Sequence, residues 1–103
     1  MDLYLRRIDH PQAHDNYRVI LKLASGQFAG DDIEIGSISI QSTTGTTEVW
    51  HWGIDTFLPT RKLDGEGRDR ADCMRQFRTA WTAFAADDAN LTAFLAAKRG
   101  ARR

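Results

Sequence analysis

The chain predicts an α+β domain, an antiparallel meander of three to four strands packed against one long C-terminal helix, with a short terminal helix after it. Three observations carry that expectation. Residues 17–23 alternate apolar and polar side chains with period two. Residues 47–57 repeat the alternation around Trp50, Trp52 and Ile54. Met74, Phe77, Trp81 and Phe84 then recur at spacings of three, four and three, the period of an amphipathic helix.

The elements follow in order. Residues 3–8 alternate weakly, with Leu3 and Leu5 on one side, and residues 1–8 read as an edge strand or an arm. Residues 9–16 hold His10-Pro11 and a polar cluster and read as a loop. In the first clear strand Tyr17, Val19, Leu21 and Leu23 share one face, while Arg18, Ile20 and Lys22 share the other. Ser25-Gly26 and Gly30-Asp31 punctuate a turn. Residues 32–41 form the next strand, but the phase of Ile33 and Ile35 differs from that of Ile38 and Ile40. A β-bulge at Gly36-Ser37 would bring all four isoleucines to one face; without it the sheet is apolar on both sides there.

Residues 42–46 suit a hairpin loop, with Gly45 available for positive φ. In the tryptophan strand, Val49, His51, Gly53 and Asp55 point away from Trp50, Trp52 and Ile54. Residues 58–67, with Pro59, Gly65 and Gly67, read as a loop. Asp69 is placed to cap the long helix, with Asp72 three positions on. Asp87, Asp88 and Asn90 supply a second cap, and Leu91, Phe94 and Leu95 mark the short helix, ending near Gly100. Residues 101–103 read as a frayed basic tail.

Length and composition set the class. At 103 residues, 42% apolar and 27% charged, the chain is a single domain with one modest core. Net charge is zero but unevenly spread. Residues 1–52 carry four Lys/Arg against seven Asp/Glu, and residues 53–103 carry ten against seven. One cysteine, Cys73, excludes an internal disulfide and fits a reducing compartment. The first residues lack the apolar region of a signal peptide, and no apolar run reaches ~20 residues. A cytoplasmic protein is expected.

The run from Trp50-x-Trp52, through a loop containing arginine and glycine, to Phe77-x3-Trp81-x2-Phe84 resembles short uncharacterised proteins of alphaproteobacteria. These share a W-x-W strand followed by an F-x3-W helix. The resemblance covers about half the chain and rests on core aromatics. It speaks to fold and carries over no catalytic residues.

Chemistry-bearing constellations are sparse. His10-x3-His14 lies in a loop, and His51 has Asp55 on its own face without the further ligands a metal needs. Arg70 and the helix start beside Cys73 would favour a thiolate, while burial would keep the thiol inert. No base or oxyanion hole accompanies it. The glycine-containing loops match no phosphate-cradling motif. The chain is therefore expected to be non-enzymatic, with no metal and no cofactor.

Two surfaces remain. Arg18, Ile20, Lys22, Val49, His51 and Asp55 form a mixed outer sheet face suited to a protein partner or to a homodimer through face or edge. Arg61, Lys62, Arg68, Arg75 and Arg78 form a candidate polyanion surface on and before the helix, the alternative being nucleic-acid binding. The first predicts an interaction or accessory module.

Overall fold

The computed structural model describes residues 2–8, 15–26, 28–42, 48–56, 58 and 61–101. His10, His14, Gly45 and the basic pair Arg102-Arg103 lie outside these residues.

Among the described residues, five strands, not three or four, form one antiparallel sheet in the order β1-β2-β3-β4-β5. They are β1 (Asp2–Arg7), β2 (Asn16–Lys22), β3 (Ile33–Ser42), β4 (Glu48–Ile54) and β5 (Asp64–Gly67). Helices α1 (Arg70–Ala85) and α2 (Asp88–Ala101) follow. The N-terminal segment is thus an edge strand, paired to β2 with Leu3 opposite Leu21 and Leu5 opposite Val19. The additional strand, β5, comes from the stretch read as loop. Its Trp50–Gly67 and Trp52–Gly65 pairs place glycines beside the tryptophans.

The glycines explain how β5 fits. A Cβ on Gly65 would lie 2.9 Å from Trp52 Nε1, and one on Gly67 would lie 2.7 Å from Cys73 Sγ. Both distances are below ordinary contact. The indole of Trp52 and the first turns of α1 therefore occupy the space that inward side chains of β5 would otherwise fill.

The bulge exists, one residue earlier than the sequence placed it. Val19 pairs with Gly36 while Ile20 pairs with Glu34, so Ile35 is the extra residue of β3. The extra residue restores the inward phase, and Ile33, Ile35 and Ile38 are all buried. Gly36 has a separate role. A Cβ there would run into the Gly53 carbonyl and lie 2.5 Å from Phe77 Cε2. The Phe77 ring thus packs directly on bare backbone.

Helix α1 lies across β3, β4 and β5. Its stripe supplies Phe77, Trp81 and Phe84 to a core completed by Val19, Leu21, Ile35, Ile38, Trp52 and Ile54. Trp52 meets Phe77 edge-on at 6.1 Å between ring centres, a favoured aromatic geometry. Asp69 caps α1, its carboxylate accepting the Asp72 amide at 2.7 Å. The Asp72 carboxylate accepts the Arg68 amide at 2.9 Å, one residue beyond the Asp69 amide that a reciprocal capping box would use. In the turn between β2 and β3, Gly26 and Gly30 take positive φ of 94° and 82°, and Phe28 between them folds back into the core.

Helix α2 is capped by Asp87, whose Oδ1 accepts the amides of Ala89 and Asn90. It packs on α1 through Phe94, which meets Trp81 at 5.3 Å and Phe84 at 5.8 Å. No helix of the described residues is long and apolar enough to cross a membrane.

Candidate functional site

The face of the sheet opposite α1 divides into two unlike halves. Over β1, β2 and the start of β3 it is closed by ion pairs. Tyr4 donates its phenol proton to Asp32 at 2.6 Å. Arg6 reaches Asp32 at 2.9 Å and Glu34 at 4.0 Å, and Lys22 reaches Asp32 at 3.4 Å. Arg18 bridges Glu34 and Asp55, and Lys98 of α2 joins Asp55 at 2.6 Å. The hydrogen bond from Tyr4 holds the Asp32 carboxyl below its usual range and raises the tyrosine in return.

Ile20 corrects the sequence reading here. It belongs to this outer face, opposite Tyr4 and Glu34, yet it is 0% exposed. Arg18 and Lys22 flank it along the strand. Linked through Glu34, Arg6 and Asp32, these long side chains roof the isoleucine with their aliphatic stems. Of the six residues proposed as an interaction surface, Ile20 is therefore internal. Arg18, Lys22 and Asp55 are engaged with neighbours. Val49 and His51 remain half-exposed.

The other half, over β3, β4 and β5, is open. Ser37, Ser39 and Gly53 are too small to fill it, and His51, Lys62, Asp64 and Glu66 stand around them. The result is a shallow polar depression of about 610 Å³. Register places Ser39 beside His51 and His51 beside Glu66 in one cross-strand row. Among the described residues, Asp64 and Glu66 have no ion pair.

The five basic residues read as a polyanion surface do not form one track. Arg68 and Arg75 both turn to Asp72. Arg78 donates to the Leu3 carbonyl of β1 at 3.2 Å. Arg61, Lys62 and Arg75 do meet, around a separate groove of about 330 Å³ between α1 and the segment entering β5.

Two chemical possibilities narrow. Cys73 is fully buried. Burial and the nearby Asp72 and Asp69 charges push its thiol up to about 11, so it is protonated at neutral pH and the thiolate suggested by Arg70 is not formed. Arg70 instead lies over the Tyr17 ring and donates to its hydroxyl at 2.9 Å. Among the described residues, no group of three or more His, Cys, Asp or Glu converges as a metal site.

Asp55 links the closed half of the face to α2. Burial alone would raise its carboxyl pKa, but the hydrogen bonds and charges of Arg18 and Lys98 outweigh this and hold it low. A carboxylate depressed by folding stabilises the fold above its unfolded value of about 3.9, and that contribution is lost as pH falls through the lower folded value. Thermal unfolding measured from neutral pH to pH 2 is expected to show stability falling through this acid window. Asp55→Asn is expected to flatten part of the slope while leaving the rest, due to Asp32 and Asp72, in place. An unchanged slope would mean the Arg18–Asp55–Lys98 group contributes nothing.

Comparison of the chain with protein-family models, with curated proteins and with solved structures finds no match.

Proposed function

We propose that the chain is a non-enzymatic interaction module, and that it grips a partner protein through the open half of its outer sheet face. The observation that supports this is the contrast between the two halves. One half uses its charges internally. The other presents unfilled hydrogen-bonding groups, Ser37, Ser39 and His51, beside two carboxylates that lack partners among the described residues. Three paired strands, β3, β4 and β5, underlie that surface. Such a surface fits an extended polar segment bearing Lys or Arg, whose charge would meet Asp64 and Glu66 while its backbone meets the serines and the histidine.

The test is a titration of the ¹⁵N-labelled protein with lysine- and arginine-containing extended peptides, and with the same peptides carrying glutamate instead. Amides of Ser37, Ser39, His51, Gly53 and Glu66 are expected to shift with the basic peptides only. Asp64→Asn with Glu66→Gln is expected to weaken that binding about 2- to 30-fold, since exposed ion pairs contribute about 0.2–1 kcal/mol each. Equal response to both peptide sets would sink the charge argument. A concentration-dependent dimer that uses the same amides would replace the partner with a second copy.

A further inference from the structure

We infer that the groove between α1 and the segment entering β5 is a binding site for a small amphipathic carboxylate, an acyl or aryl body with one anionic end. Its lining divides by chemistry. Trp52, Ala80 and Ala83 give an apolar floor, while Arg61, Lys62 and Arg75 supply the cations. The volume, about 330 Å³, falls at the small end of ligand pockets, about 300–1,000 Å³.

The floor is held in place before any ligand arrives. Trp52 Nε1 donates to Gln76 Oε1 at 2.9 Å. Gln76 in turn donates to Asp72 Oδ2 at 3.2 Å. Arg75 donates to the other oxygen of the same carboxylate. Thr79 donates its hydroxyl proton to the Arg75 carbonyl at 3.1 Å, leaving the hydroxyl oxygen able to accept. Indole, amide, carboxylate and guanidinium thus form one chain of hydrogen bonds, and a fixed floor lowers the ordering cost of binding.

The cations differ in availability. Arg75 is neutralised by Asp72. Arg61 and Lys62 have no ion pair among the described residues. Two adjacent uncompensated charges at the edge of an apolar floor match a single anionic head with a hydrocarbon body. A polynucleotide needs cations spaced along a track. Arg68, bound to Asp72, and Arg78, bound to β1, do not provide one.

The test uses octanoate as probe, with octanol and inorganic phosphate as the body and the charge alone. Octanoate is expected to shift the Trp52 indole N–H and the amides of Gln76, Thr79 and Ala80 saturably. Octanol and phosphate are expected to bind at least about tenfold more weakly. Arg61→Gln with Lys62→Gln is expected to weaken octanoate about tenfold, and Ala83→Phe, at the exposed edge of the floor, to abolish it with the circular dichroism unchanged. No saturable shift, equal binding of octanol, equal binding of phosphate, or tighter binding of a single-stranded oligonucleotide at the same amides would each overturn the assignment. The amides of Ser37 and Ser39 stay still in this experiment, so its outcome is separate from that of the peptide titration.

Discussion

Gly36→Ala is expected to destabilise the protein by about 3 kcal/mol or more, the upper end of what overpacking costs. The added methyl has nowhere to go. It meets the Gly53 carbonyl, which is fixed by the pairing of β3 with β4, and the Phe77 ring, which is fully buried. For a domain of this size such a loss lowers the melting temperature by roughly 12 °C or more, and total stabilities of about 5–15 kcal/mol leave little reserve. Calorimetry of the variant checks this directly. Shortening the ring with Phe77→Leu should recover only part of the loss in Gly36→Ala, because the backbone oxygen stays where it is. Full recovery would show that the ring alone sets the constraint.

Phe94→Ala is expected to have an effect of similar size but a different form. Large-to-small changes at buried phenylalanines cost about 3–5 kcal/mol. Here the loss falls on one element. Phe94 is wedged between Trp81 and Phe84, and α2 is otherwise held by Leu91 and Leu95 against the core and by the Lys98–Asp55 pair. A detached helix of fourteen residues is marginal in water. The variant should lose helical circular dichroism equivalent to α2, and hydrogen-exchange protection over residues 88–101, while β2, β3 and β4 keep theirs. Phe77→Ala, beneath the centre of the sheet, should instead lower protection everywhere. Uniform loss in Phe94→Ala would mean α2 and the sheet unfold as one unit.

How much of this was legible in the sequence varies by element. Strands with apolar side chains at every second position were legible, and so was the helix stripe from Met74 to Phe84, because burial imposes those periods. The bulge was visible as a broken phase among four isoleucines, and missed by one residue because only pairing to β2 identifies the extra one. β5 was not legible. Asp-Gly-Glu-Gly has no apolar alternation, since its inward positions are filled by Trp52 and α1 from neighbouring elements. Ile20 was placed on the correct face and wrongly left exposed, because its roof is made of charged residues from β1, β2 and β3. The pairing of Tyr4 and Arg6 with Asp32 and Glu34 is hidden in the sequence for the same reason. The charges that pair are not at facing positions, since Arg6 faces Arg18 and Glu34 faces Ile20, so the diagonal ion pairs emerge only once register is known.

The candidate sites divide in the same way. His51 was recognised as facing outward, whereas Ser37, Ser39, Asp64 and Glu66 joined it only through the pairing of β3, β4 and β5. Arg61, Lys62 and Arg75 were each recognised as basic. That they share a groove with Trp52, and that Arg68 and Arg78 do not join them, depends on where α1 crosses the sheet.

β5 has a consequence for how the chain can vary. Its inward positions are glycine and its outward positions are Asp64 and Glu66, which are exposed. Packing therefore constrains the glycines strongly and the two carboxylates hardly at all. Residues 64 and 66 form a display strip whose chemistry can be rewritten, to lysine, tyrosine or threonine, without disturbing the core beneath. On the proposed function, recognition is then separable from folding at two positions, and a new specificity is most readily selected there.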